Sequence, residues 1–323
     1  MTPDEALPGR DAILAARAQV ARSFGPTPQY IWPLLAQRLG TRAWLKHENH
    51  TPTGAFKVRG GLVYFADFAR HAPGCRGVIS ATRGNHGQSI GFAARAAGVA
   101  ATIVVPHGNS REKNAAMRAL GVTLVEHGDD FQAAREHAQA LAERDGLHFV
   151  PSFHPALVAG VATYWMELFE AAPDLDIVYV PIGLGSGACG AIAARAAAGA
   201  RCEIVGVVSA HAPAYALSLE AGRPIDAPVT TRLADGMACR TPEPAALPIL
   251  ARGLSRVVRV TDDEVAAAMK AIFVDTHNVA EGAGAASLAA ALQERDALRG
   301  RTAGLTLCGA NVDHDVFARV LAG

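Results

Sequence analysis

Lysine is scarce in this chain of 323 residues: Lys46, Lys57, Lys113 and Lys270 are the only four among 30 basic residues. An amine able to attack a carbonyl must be one of them. Lys270 falls in an amphipathic helical pattern, Lys113 opens another helical stretch after Pro106, and Lys46 lies in the alternating pattern AWLKHE, so these three read as solvated. Lys57 differs. It follows the turn-rich lead-in Thr51-Pro52-Thr53-Gly54-Ala55 and is flanked by Phe56 and Val58. An amine held in apolar surroundings is pushed toward its neutral form, because burial disfavours the charge, and the neutral amine can condense with an aldehyde. A surface lysine with its stem folded over apolar neighbours fits this segment as well.

Two glycine-bearing turns offer complementary chemistry. Gly183-Leu184-Gly185-Ser186-Gly187 follows the apolar run DIVYVP and precedes an Ala-rich helical run. Glycines there let N–H groups converge on an anion at the positive end of the following helix. Gly185-x-Gly187-x-x-Gly190 also matches a dinucleotide fingerprint, but the acid that should end the next strand is missing, since Ser209 stands there. A single phosphate monoester is the better fit, and a purely structural turn remains open. The second turn, Ser80-Ala81-Thr82-Arg83-Gly84-Asn85-His86, again joins a strand to a helix, and its N–H groups with Thr82 and Asn85 could hold a carboxylate or a ring hydroxyl. A capping turn fits it equally.

The elements that would position these groups alternate between short β-rich runs and Ala-rich helical runs, which argues for parallel sheets covered by helices. A βαβαβ-like block runs from Val78 to about Val150, and a second series begins with a helix around Val158–Glu170. The expected architecture is therefore α/β with two lobes, a large one from residues 1–67 and 151–323 and a small one from 68–150. The Pro- and Gly-punctuated stretch 222–248 reads as a long connection near a site.

Composition narrows the partners. Acidic and basic residues balance at 30 each, which leaves no basic surface for nucleic acid or an anionic membrane. The amino terminus lacks the basic-then-apolar order of a signal peptide and reads as cytoplasmic. The five cysteines, Cys75, Cys189, Cys202, Cys239 and Cys308, are scattered and read as reduced thiols. His47 and His50 flank Glu48 without a second pair at zinc spacing, so no metal is expected there.

A reactive lysine, a phosphate-sized cradle and an anion-binding turn together suggest pyridoxal phosphate. Thr53-Gly-Ala-Phe-Lys57-Val-Arg-Gly60, Gly84-Asn85-His86, the 183–187 loop, Leu233-Ala-Asp-Gly236, Ala280-Glu281-Gly-Ala-Gly284 and Leu307-Cys308-Gly-Ala-Asn-Val-Asp313 resemble the serine/threonine dehydratase group of fold-type II pyridoxal-phosphate enzymes. The resemblance implies that Lys57 holds the cofactor through its aldehyde and then moves the substrate's α-proton. It also implies that Phe56 packs beside the ring, Asn85 bonds its hydroxyl, Gly183, Leu184, Gly185, Ser186 and Gly187 bind the phosphate, Cys308 faces the pyridine nitrogen, and Glu281 is among the cofactor-binding residues. Ser80, Thr82, Arg83, Gly84, Asn85 and His86 would receive the substrate. The implied reaction is loss of the β-hydroxyl of an amino acid such as L-threonine or L-serine, giving a 2-oxo acid and ammonia; a homodimer is the family-level expectation.

Some positions depart from the family pattern. Ala55 stands where serine is usual, and Leu184 and Ser186 interrupt the commoner run of glycines. Arg83 replaces a small or hydroxyl residue; being always charged it is a poor proton carrier, which argues against racemisation. It could instead pair with a second carboxylate, favouring 3-hydroxyaspartate. Ser209 and His211 occupy the family's divalent-ion position, so no essential metal is expected. No amino-acid-sensing domain is expected after Asp313, nor is feedback by isoleucine. A nicotinamide-dependent dehydrogenase, a non-catalytic binding protein and a diaminopropionate ammonia-lyase remain as rival readings.

Overall fold

The computed structural model describes residues 7–72 and 74–323. The first elements are α1 (Arg10–Val20), β1 (Gln29–Ile31), α2 (Pro33–Leu39), β2 (Arg42–His47) and α3 (Lys57–His71). Then follow β3 (Val78–Ala81), α4 (Asn85–Ala96), β4 (Ala101–Val105), α5 (Arg111–Ala119), β5 (Thr123–Glu126), α6 (Phe131–Asp145) and β6 (His148–Phe149). The chain continues through α7 (Pro155–Ala171), β7 (Ile177–Pro181), α8 (Ser186–Ala198), β8 (Glu203–Ser209), α9 (Ala214–Ala221), α10 (Leu247–Gly253) and β9 (Arg256–Val260). It finishes with α11 (Asp262–Thr276), α12 (Gly282–Gln293), β10 (Thr302–Leu307) and α13 (His314–Ala322).

Among the described residues, ten strands form two sheets. The larger has the order β1-β2-β10-β7-β8-β9 and is parallel except for β1. The smaller, β5-β4-β3-β6, is wholly parallel. Both are covered on two faces, which explains their near-continuous apolar strands. Alternate residues of one strand feed opposite layers: Val178 and Val180 pack with α7 and α8, whereas Ile177 and Tyr179 pack toward α11 and α12. In the small sheet Val78 and Ile103 enter one core and Ile79 and Val104 the other. Helix α3 joins the two bodies, since it packs on α7 and on α4. Among the described residues no helix is long and apolar enough to cross a membrane.

Lys46 is not solvated, as its strand pattern implies, but 1 % exposed. Its Nζ lies 2.6 Å from Glu167 Oε2 and donates to the Thr27 carbonyl at 2.9 Å. Arg59, also fully buried, reaches Glu48 Oε2 and Glu167 Oε1, each at 2.7 Å. Two cations and two anions thus form a neutral buried cluster behind the first turn of α3. Desolvation makes each charge depend on its partner, so the cluster fixes the helix that begins at Lys57. The histidines beside it serve structure as well: His47 Nε2 accepts from Trp32 Nε1 at 2.9 Å, and burial pushes His47 down to about 4.

Candidate active site

The carboxyl ends of β3, β7 and β10 open on one cavity of about 940 Å³, closed on the far side by residues from the 226–244 connection. Ligands in open α/β folds bind at such strand ends. Lys57, the first residue of α3, lines it. Backbone pairing across the chain sets its position: Phe56 N–H donates to the Cys308 carbonyl at 3.0 Å, Ala310 N–H to the Gly54 carbonyl at 2.9 Å, and Ala55 bridges Gly309. Lys57 Nζ donates to Ser186 Oγ at 3.1 Å and lies 5.0 Å from the centre of the Phe56 ring. The amine opens on the cleft yet lies deep in the protein; burial pushes it down to about 8, against the pull of Cys308 and Glu281. A fraction of it is neutral at physiological pH.

The 183–187 loop has the geometry of an anion cradle. Gly185 has φ +96° at the N-cap of α8, and a Cβ on Gly183 would stand 2.4 Å from the Gly236 carbonyl oxygen, so neither position accepts a side chain. The first N–H groups of α8 have no acceptor within the helix and face the loop. Tyr215 Oη holds the Leu184 carbonyl at 3.0 Å, and Trp165 Nε1 holds that of Gly187 at 3.1 Å.

On the opposite wall, Asn85 opens α4. Its Nδ2 donates to Glu281 Oε1 at 2.5 Å and its Oδ1 accepts from Asn311 Nδ2 at 2.9 Å, so the amide is oriented at both ends. Cys308 Sγ donates to the Ala283 carbonyl at 3.4 Å, and burial pushes the thiol up, keeping it protonated. His86 is pushed down to about 3 by burial and then by Lys57, so its ring is neutral.

The cavity brings together every residue singled out from the sequence except one. Ser80 does not line it; its hydroxyl donates to the Val150 carbonyl at 2.7 Å and ties β3 to the end of β6. Lys113 departs from the solvated reading as Lys46 does. It is 4 % exposed and lies at the wall, with Nζ 2.7 Å from Asp235 Oδ2 and 2.8 Å from Glu281 Oε2. Asp235, within the Leu233–Gly236 motif, lines the cavity, and Asn311, within the Leu307–Asp313 motif, orients Asn85; both motifs carry the family resemblance, but it gives neither residue a role, and nothing local marks Arg135, one arginine of a helix, as lining the cleft.

Three features suit pyridoxal phosphate: an amine of lowered pKa, a glycine cradle at a helix N-terminus, and an uncharged thiol lining the same cavity. The model of the family described as "Pyridoxal-phosphate dependent enzyme" matches residues 20–309. An L-threonine ammonia-lyase of Geobacter sulfurreducens is 37% identical over 86% of this chain and 69% of its own length. The structure of the processed form of threonine deaminase isoform 2 from Solanum lycopersicum superposes with a TM-score of 0.87 at 27% identity, covering 98% of this chain and 95% of that one. A pyridoxal 5'-phosphate-dependent aspartate racemase gives 0.89 at 26% identity, covering 95% of this chain and 97% of its own. A nicotinamide reading of the Gly185 loop is thereby set aside. The chain belongs to the pyridoxal-phosphate dependent enzymes of fold type II, in the family of the threonine ammonia-lyases.

Proposed function

We propose that the chain is a dehydratase that removes the β-hydroxyl of a hydroxyamino acid such as L-threonine or L-serine and releases a 2-oxo acid and ammonia. The observation that carries this reading is the convergence of Lys57, Ser186 and the neutral Cys308 on one cavity. Pyridoxal phosphate, when bound, supplies an aldehyde for the substrate's amine and a ring that acidifies its α-carbon. Gly183, Leu184, Gly185, Ser186 and Gly187 hold the phosphate, Phe56 packs beside the ring, and Asn85, backed by Glu281, donates to the ring hydroxyl. Thr82, Gly84, Asn85 and His86 receive the substrate carboxylate. Lys57 binds the aldehyde and, once freed, takes the α-proton. A neutral thiol at Cys308 would leave a pyridine nitrogen unprotonated, which would favour loss of the protonated β-hydroxyl as water over delocalisation of charge into the ring. In this reading the 68–150 lobe closes on the 1–67 and 151–323 body to exclude water. The protein works in the cytoplasm as a homodimer. Incubation with pyridoxal phosphate and a panel of hydroxyamino acids should yield ammonia and a 2-oxo acid, abolished by Lys57→Ala; no product from any member of the panel rejects the reading.

One observation favours a second substrate, 3-hydroxyaspartate. Arg83 and Arg135 line the cavity, and neither has an ion-pair or hydrogen-bond partner among the described residues. An unpaired guanidinium at a cleft is suited to a distal carboxylate. Arg83→Ala should then cost far more activity on hydroxyaspartate than on threonine; equal relative losses exclude this role.

A further inference from the structure

We infer that Lys113 is a positioning residue for the reaction: it keeps Glu281 anionic and thereby fixes the Asn85 amide that faces the cofactor site. The inference rests on the reading of Asn85 as the donor to the ring hydroxyl.

Lys113 belongs to α5, on the small-sheet side, where Ser110 caps the helix by accepting from Lys113 N–H at 3.2 Å. Its stem runs beneath Gly84, which has φ +152°; a Cβ there would stand 2.2 Å from Lys113 Cδ. Glycine at this turn therefore makes room for the lysine as well as for the bend. The ammonium ends between Asp235 and Glu281, both on the large-sheet side. Glu281 is 2 % exposed. Four ionisable groups face it from four elements: Lys113 from α5, Asp235 from the turn at 235–237, Lys57 from α3, and Cys308 after β10. Burial, above all, and Asp235 push the Glu281 carboxyl up, and Lys113 with the Asn85 amide offsets only part of that rise. Without the ammonium, a carboxyl this deep takes a proton.

Protonation would change the hydrogen-bond pattern. As an anion Glu281 only accepts, so Asn85 must turn its NH2 toward Oε1 and its Oδ1 toward the Asn311 NH2. A protonated Glu281 can donate, and an Asn85 amide flipped to receive that proton would set its NH2 against the Asn311 donor. The amide then has no unique orientation. Its second N–H, the one available to a ring oxygen, is no longer held in place.

The test is the visible spectrum and the kcat/KM profile of the holoenzyme against pH for wild type, Lys113→Met, Lys113→Arg and Lys113→Met with Glu281→Gln. Wild type and Lys113→Arg should share one profile, since both keep the charge that opposes burial and Asp235. Lys113→Met should show a titration displaced to higher pH than in wild type, with spectrum and kcat/KM altered on its acid side and restored on its alkaline side. The double variant should lose that titration. A Lys113→Met holoenzyme with the wild-type spectrum and profile overturns the inference, as does a displaced titration that survives in the double variant. If Lys113→Met does not fold, Lys113→Arg decides: a retained charge must retain the wild-type spectrum. Absence of a cofactor band in wild type would instead sink the reading of the site.

Discussion

The Lys57 amine and the Ser186 hydroxyl, 129 positions apart in sequence, are held 3.1 Å apart where the start of α3 meets the start of α8. A buried amine and the hydroxyl that opens the glycine-bounded helix thus share one hydrogen bond, and each helix N-terminus contributes one of them.

That amine should titrate early. With burial pushing Lys57 down to about 8, its labelling by an acylating reagent in cofactor-free protein should reach half its maximum near pH 8, as read by peptide mass spectrometry. A lysine with an ordinary pKa stays mostly charged until about pH 10.4. The folded state also binds fewer protons here than the unfolded state, so this group alone makes cofactor-free stability rise with pH through that interval. Labelling that follows the ordinary lysine curve would contradict the burial argument.

Glycines of the cradle should differ in their tolerance. Gly183→Ala drives a Cβ to 2.4 Å from a backbone oxygen, and we expect a loss of about 1–3 kcal/mol in thermal or denaturant unfolding. At Gly187 the first atoms a Cβ meets are 3.7 Å and 3.8 Å away, so Gly187→Ala should stay within about 0.5 kcal/mol of wild type.

Cys308 should accept a neutral replacement and resist a charged one. Cys308→Ser keeps an uncharged donor within reach of the Ala283 carbonyl and should retain elimination. Cys308→Asp adds a carboxyl beside Glu281 in a buried wall, and unfolding should show a cost of about 3 kcal/mol or more. An unchanged melting temperature would show that the site is wetter than its burial implies.

The cluster behind Lys57 should behave as a unit. Glu48→Ala removes the carboxylate that Arg59 grips at 2.7 Å and leaves a fully buried guanidinium short of one partner. The expected cost is about 3–5 kcal/mol in denaturant unfolding, far above that of an exposed pair such as Arg299 with Asp296.

Much of this site was readable from local sequence. Lys57, the 183–187 loop and the Asn85 turn each lie in a short segment whose own residues fix its shape, and the alternation of strands and helices announced two parallel sheets. The helix expected around Val158–Glu170 lies within α7, Pro155–Ala171. What escaped depends on distant partners. A lysine in a strand or at a helix start is solvated by default; Lys46 and Lys113 are not, because Glu167 and Asp235, 121 and 122 residues away, meet them in the fold. Ser80 failed for the converse reason. Its hydroxyl points along the sheet to Val150, and a strand pattern gives no warning of that.

The pairing of Gly54, Ala55 and Phe56 with residues 308–310 also has a temporal side. A ribosome delivers the lysine early and the thiol segment some 250 residues later. The pocket therefore has no floor on a nascent chain until its last strand is out and docked, and cofactor capture must come among the closing events of folding.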